Sequence, residues 1–314
     1  KIWYTISNFR RYLMHFNKYQ ILTTDKYTKF EHLYKKVKHI CVVIFLVVFL
    51  IGFIILLSLV LYFQQLTKDA SSISDRELKA KILHIPGDEL INHNNQILEE
   101  YDHSQNTLIV GPNHVNSNII HALTASEDTL FYKHNGIMPK ALLRAMLQDI
   151  TNSNQSSGGS TITQQLVKNQ VLSNKKTYSR KANEIILATR VENLLSKDEI
   201  IYTYLNIVPF GHDYNGANIT GISSASYSLF GIPAKDLNIA QSAYLIGLLQ
   251  SPYGYTPYDE HGKVKPYHLL KLSMKRQQYV LKRMRVEGKI SKQQYENAKK
   301  YNIKQHLLKQ SKDE

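Results

Sequence analysis

Gly158-Gly159-Ser160-Thr161-Ile162-Thr163-Gln164-Gln165-Leu166-Val167-Lys168-Asn169 lies near the middle of the 314-residue chain. A Ser/Asn/Gln-rich run, residues 151–157, leads into the glycine pair and then into a helix start. Thr161 and Gln164 have the spacing of a capping box, in which each side chain satisfies a backbone N–H at the helix start. The remaining free N–H groups, next to flexible glycines, form a natural anion site. On the helix that follows, Thr161, Gln165 and Lys168 share one face at i, i+4, i+7, a polar stripe ending in a cation. No Gly-Lys-Ser/Thr follows, so the stretch is not a P-loop.

Downstream, Arg180-Lys181-Ala182-Asn183-Glu184 puts Glu184 at i+4 from Arg180 and i+3 from Lys181, on one helix face. Surface salt bridging is one reading. A carboxylate held among cations that also attract a pyrophosphate is the other. Upstream, Ile119–Ala125 reads as an apolar helix ending in Glu127-Asp128-Thr129-Leu130-Phe131-Tyr132-Lys133-His134-Asn135-Gly136. Two adjacent carboxylates at a helix end suit a general base. They equally suit a solvated helix end with Gly136 as its turn.

The longest apolar feature is Ile40–Phe63, ICVVIFLVVFLIGFIILLSLVLYF, without a single charge. As a helix these residues extend about 36 Å, enough to span a bilayer core. A cleaved signal peptide has a shorter apolar region ending in small residues. Residues 1–39 hold nine Lys/Arg against Asp25 and Glu31, with Lys35, Lys36 and Lys38 beside the span. The positive-inside rule places them in the cytoplasm and everything after about residue 64 outside. Overall, 39 basic against 25 acidic residues give +14, which favours an anionic partner. Cys41 is the sole cysteine, so an intrachain disulfide and a cysteine-based zinc site are both excluded.

The pattern divides the chain into a basic tail (1–39), a transmembrane helix (40–63), a polar stalk (64–80), a main domain (81–265) and a basic helical region (266–314). Ile82–Ile85 and Asn106–Val110 read as short extended runs, with turns at Pro86-Gly87-Asp88 and Asn92–Asn95. From Asn116 the pattern is helical. Ser196-Lys197-Asp198-Glu199 is a capping box opening a helix to Asn206, and Leu237–Leu249 is a strongly apolar helix before Pro252.

Together these segments resemble the family 51 glycosyltransferases, the transglycosylase module of class A penicillin-binding proteins and of monofunctional peptidoglycan glycosyltransferases. Glu127–Gly136 fits E-D-x-x-F-x-x-H-x-G, Gly158–Asn169 fits G-G-S-T-I-T-Q-Q-L-x-K-N, and Arg180–Glu184 fits R-K-x-x-E. Lys197–Gly211 is similar to K-x-x-I-x-x-x-Y-L-N…F-G, and the helix ending Leu248–Pro252 is similar to a fifth motif. The resemblance covers roughly residues 80–310. Pro209 departs from it where an aromatic is frequent, and Gln241 where a glutamate is common.

The resemblance implies a mainly α, lysozyme-like helical domain with a small N-terminal β element, preceded by the single transmembrane helix. It implies polymerisation of lipid II into β-1,4-linked glycan, with inversion and release of polyprenyl pyrophosphate. Glu127 is then the base with Asp128 beside it, and Glu184 lies near the donor pyrophosphate. Lys168, Arg180 and Lys181 neutralise the diphosphate. Gly159, Ser160, Thr161, Gln164, Gln165 and Asn169 hold sugar and phosphate oxygens, and Asn206 supports the cleft. His134 is expected to hydrogen-bond its own loop. No cofactor is required and no metal box is visible, although a divalent cation, Mg or Mn, could assist at the pyrophosphate. The implied partners are lipid II, the lipid-linked glycan chain and the bacterial membrane rather than nucleic acid, with room for cell-wall synthesis or division proteins.

The apolar residues Ile137-Met138, Leu142-Leu143 and Met146-Leu147, interleaved with Lys140 and Arg144, read either as core or as a surface dipping into the outer leaflet. Two other functions fit parts of the pattern. A lytic glycan-cleaving enzyme also uses one glutamate but has no need of the cations, and an inactive scaffold has no need of the motifs. A serine transpeptidase needs K-[ST]-G, which this sequence lacks; Ser173–Lys176 fits S-x-x-K only by chance. Residues 266–314 resemble the connection that precedes such a domain.

Overall fold

The computed structural model describes residues 24–85, 88–89, 101–102, 107–108, 111, 114–150, 159–172 and 177–308. Residues 1–23 of the tail, Pro86-Gly87, Asn92–Asn95, Ile109-Val110, residues 151–157 with Gly158, and Ser173–Lys176 lie outside the described residues. Of Met146 and Leu147 only the helical backbone is described.

The chain divides into two units, Lys1–Gln65 and Leu66–Glu314. The first is dominated by α1 (Thr24–Leu66), a 43-residue helix. Within it, Tyr27–Leu66 is long and apolar enough to cross a membrane. Its apolar side chains, Ile40 through Phe63, are exposed, and such a surface is stable only when lipid covers it.

Among its described residues the second unit is helical with three two-stranded antiparallel pairs. It opens with α2 (Lys68–Ser72) and α3 (Asp75–Leu83), the latter capped by Ser74, whose Oγ accepts the Glu77 N–H. This corrects two expectations. Residues 68–80 are not a solvated stalk, because Ala70 and Leu78 are buried in the core with Ile82; three buried side chains among polar ones leave the sequence looking polar. Ile82 and Leu83 end α3 rather than beginning a strand. The small β element follows as β1 (His84–Ile85) with β2 (Asp88–Glu89), and β3 (Tyr101–Asp102) with β4 (Thr107–Leu108).

Next come α4 (Ser117–Ser126), a 3₁₀ turn at Phe131–Lys133, α5 (Pro139–Ile150), α6 (Ile162–Gln170), α7 (Tyr178–Leu194) and α8 (Lys197–Ile207). Local chemistry sets their starts. Thr161 with Gln164 and Ser196 with Glu199 form the capping boxes read from the sequence. The pair β5 (Pro209–His212) and β6 (Asn218–Thr220) carries an irregularity between Pro209 and Gly211. Pro209 is the first residue of its strand, where a missing N–H is tolerated. Then follow α9 (Ile222–Phe230), α10 (Ile239–Leu248), α11 (Pro252–Tyr255), α12 (Tyr267–Val286), α13 (Lys292–Lys300) and α14 (Ile303–His306). Gln241 completes a capping box with Asn238 at the start of α10, a task that glutamine performs as well as glutamate.

The basic region beginning at residue 266 packs into the core of the same unit. Ser273, Gln277, Val280, Leu281 and Met284 of α12 are buried, and the Gln277 amide donates to the Ala240 carbonyl at 2.9 Å. Ala298 and Ile303 continue the same core from α13 and α14. Lysines and arginines on the outer faces of these helices hide this in the sequence.

Candidate active site

Helix α4 stops at Glu127, whose N–H still reaches the Leu123 carbonyl at 2.9 Å. The carboxylate is held from two directions. Gln165 Nε2 of α6 donates to Oε2 at 3.2 Å, and Arg276 Nη2 of α12 pairs with Oε1 at 3.0 Å. Tyr204 of α8 donates its hydroxyl to Gln165 Oε1 at 2.8 Å, which turns the amide N–H₂ towards Glu127. Burial, and secondarily the charge of Glu127, push the Tyr204 phenol well above its ordinary range, so it remains a neutral donor. Glu127 and Arg276 each keep 15% of their side-chain surface exposed.

Arg276 was not among the residues singled out from the sequence. It lies between Lys275 and the buried Gln277 in a helix that reads as basic and solvated. The one usable signal is that Ser273, Gln277, Val280 and Met284 form an apolar-side stripe with Arg276 at its edge. Its guanidinium stacks over Tyr279 at 4.3 Å. Gly247 of α10 admits the close approach, because a Cβ there would meet Arg276 Cγ at 3.3 Å.

Asp128, adjacent to Glu127 in sequence, has different partners. Its side chain is fully buried, His134 Nε2 lies 2.8 Å from Oδ2, and the Ile162 N–H donates to Oδ2 at 3.0 Å. His134 Nδ1 in turn accepts the Gly136 N–H at 3.1 Å, in line with its expected part in the loop. Asp128 therefore ties the motif loop to the start of α6. Thr161 Oγ1 also donates to the Gly136 carbonyl at 2.6 Å, and Thr161 and Gln164 close the capping box between them. Thr161 and Gln164 are buried, so they shape the helix start rather than face a ligand. Gly136, at φ +84, packs against the Ala188 carbonyl so closely that no Cβ fits.

The second cluster belongs to α7. Glu184 is 2% exposed and accepts from Arg180 Nη1 at 3.0 Å and from Lys181 Nζ. Lys181 Nζ also donates to Ser160 Oγ at 2.9 Å, joining α7 to the residues before α6. Arg180 Nε is buried without a hydrogen-bond partner among the described residues. A buried N–H of this kind is costly unless an acceptor arrives. Gly159 is half-buried beside Ser160. Lys168 and Asn169 lie further along α6, half-buried and exposed respectively. Neither bonds another of these residues among the described residues. Asn206 is buried and donates to the Tyr202 carbonyl at 3.0 Å, a support within α8.

Lys197 braces the whole arrangement. It pairs with the buried Glu192 at 2.6 Å, donates to the His134 carbonyl at 2.7 Å and lies 4.5 Å over the Phe131 ring. Thr163 Oγ1 reaches the other oxygen of Glu192 at 2.5 Å. Through Lys197 and Thr163 the Glu127–Gly136 loop, α6, α7 and α8 share one part-buried network.

Comparison with known proteins follows the same residues. The transglycosylase family matches residues 94–285, more than half of the chain. Penicillin-binding protein 1A of Clostridium perfringens strain 13 is 40% identical over 195 residues, 60% of this chain and 27% of that protein. Penicillin-binding protein 1A of Pseudomonas aeruginosa is 39% identical over 179 residues, covering 57% and 20%. Penicillin-binding protein 1F of Bacillus subtilis is 33% identical over 233 residues, covering 74% and 30%. The chain thus spans under a third of the length of each of these relatives. The matched stretch runs from before Glu127 to beyond Arg276, and the chain belongs to the transglycosylase family.

Proposed function

We propose that the chain is a peptidoglycan glycosyltransferase that polymerises lipid II in cell-wall synthesis, with Glu127 as base. The observation that carries this reading is the grip on Glu127 from Arg276 and Gln165. Both oxygens are oriented by donors while the side chain keeps contact with solvent. In the reaction Glu127 takes the proton from the acceptor's 4-hydroxyl as that oxygen bonds to the donor's anomeric carbon. The bond from that carbon to the pyrophosphate oxygen breaks on the opposite face, so the centre inverts to a β-1,4 linkage.

The departing diphosphate needs positive charge placed in advance. Arg180 and Lys181 supply it, and the unpartnered Arg180 Nε offers a further donor to a phosphate oxygen. Glu184 keeps both cations on one side of α7. The donor set does not suit a resident Mg or Mn ion, since Glu184 is its sole carboxylate and is already taken up by two cations. Ser160, Gly159, Lys168 and Asn169 line the approach to these groups in this reading.

The lipid tails place the work at a membrane. Leu130, Tyr132 and Leu143 are exposed large side chains beside exposed Lys133, Lys140 and Arg144, a composition that suits the headgroup boundary. The tail lies in the cytoplasm and the catalytic unit outside, following the lysines before the span. Incubating the full chain with lipid-linked disaccharide, and separately with finished glycan, tests the proposal. Polymer from the first and no cleavage of the second is the expected pair of results; cleavage without polymer would make the chain a lytic enzyme.

A further inference from the structure

The segment Leu66–His84 precedes the family match, which begins at residue 94. It is nevertheless bonded to both helices that carry the candidate site. From α7, Ser179 Oγ and Asn183 Nδ2 donate to the Leu66 carbonyl at 2.9 and 3.0 Å. Asn183 Oδ1 accepts the Ala70 N–H at 2.9 Å. About two turns further along α7, Arg190 donates to the carbonyls of Ala70 and Ile73, each at 2.7 Å, and pairs with Asp75. From the end of α6, Gln170 Nε2 reaches the carbonyls of His84 at 2.7 Å and Ile82 at 3.3 Å. Ala70, Leu78 and Ile82 are at most 1% exposed.

These bonds fix more than attachment. Helix α7 carries two neighbouring stripes. Ser179, Asn183 and Arg190 grip the segment, while Arg180, Lys181 and Glu184 carry the charge cluster. Successive residues of a helix are rotated by about 100°. Any rotation of α7 that released Asn183 from Leu66 and Ala70 would therefore also draw Lys181 from Ser160. The bond from Gln170 sets the far end of α6 against the same segment, so the spacing of the two helices is fixed at both ends.

We propose that Leu66–His84 is a bracket that sets the rotation and spacing of α6 and α7, with Asn183 and Arg190 as positioning residues for the Lys181 cluster. The functional part rests on reading that cluster as the pyrophosphate site. The test uses the full chain in detergent with Asn183→Ala, Arg190→Ala, the milder Arg190→Lys, and Glu77→Ala as an exposed control in the same segment. Polymerisation per folded molecule and the Kd for inorganic pyrophosphate are measured together. The expected kcat of Asn183→Ala and Arg190→Ala is roughly tenfold to a hundredfold lower. Pyrophosphate affinity should fall in step, Arg190→Lys should recover part of both, and Glu77→Ala should match the parent.

Folded Asn183→Ala with parental kcat and pyrophosphate affinity overturns the bracket as a positioning device. Should the alanine variants fail to fold, Arg190→Lys carries the same comparison. Lys181→Ala separates the two readings. If it binds pyrophosphate like the parent, the pyrophosphate site is what fails. The bracket is then decided by amide exchange over residues 179–184, which must quicken in Asn183→Ala relative to α10; equal exchange overturns it.

Discussion

Arg276 Nη2 lies 3.0 Å from Glu127 Oε1 across 149 residues of sequence, while Gln165 Nε2 approaches the other oxygen at 3.2 Å. Glu127, the proposed base, is therefore held by α12, a helix that reads as a basic appendage. Arg276→Gln should lower polymerisation kcat, because a hydrogen bond between charged groups contributes about 1.5–3 kcal/mol, or roughly ten- to a hundredfold in rate. Arg276→Lys should recover part of the loss, since it keeps the charge but loses the planar fork. Steady-state kinetics on lipid-linked disaccharide read this directly, and a parental rate in Arg276→Gln removes the arginine from the account.

Gly247→Ala probes the same contact from the opposite helix. The added methyl meets Arg276 Cγ at 3.3 Å and the Gln277 N at 3.4 Å, so α10 and α12 must separate slightly. Overpacking of this kind costs about 1–3 kcal/mol. Thermal unfolding should register that loss, with activity reduced beyond the loss of folded protein.

Asp128 and Glu127 should differ in what they contribute to stability. Asp128→Ala removes the partner of His134 and of the Ile162 N–H at a fully buried position, at a cost of about 3 kcal/mol in stability. Glu127→Gln keeps an amide oxygen for Arg276 and should lose less than Asp128→Ala, about 1–2 kcal/mol. Denaturant melts of the two variants compare them; equal stabilities would contradict the structural role given to Asp128.

His121 gives the stability a pH dependence. Burial, and secondarily the charge of Lys289, hold its imidazole below the ordinary value of 6.5. The unfolded chain then binds the proton more tightly than the folded one. The contribution is present above pH 6.5 and declines as the pH falls through the folded value. Melting temperatures between about pH 7 and about pH 5 should fall less steeply in His121→Gln than in the parent.

What was legible in the sequence is what depends on near neighbours. The boxes Thr161–Gln164 and Ser196–Glu199 and the cluster Arg180–Lys181–Glu184 span three or four residues, so spacing alone reveals them. The membrane-length run is legible for the same reason. Arg276 and the Leu66–His84 segment are not, because their partners lie 149 and between 86 and 120 residues away and their exposed faces are polar. Asp128 shows the converse. Adjacent to Glu127 in sequence, it turns into the interior because the chain leaves α4 at that point and folds under α6.

Glu127 as the base is decided by removing its charge. The full chain and Glu127→Gln are incubated with lipid-linked disaccharide at equal folded concentration, and glycan product is quantified. Polymer is expected from the parent and at least roughly a thousandfold less from Glu127→Gln, with the fold intact. Polymer from Glu127→Gln at the parental rate would contradict it.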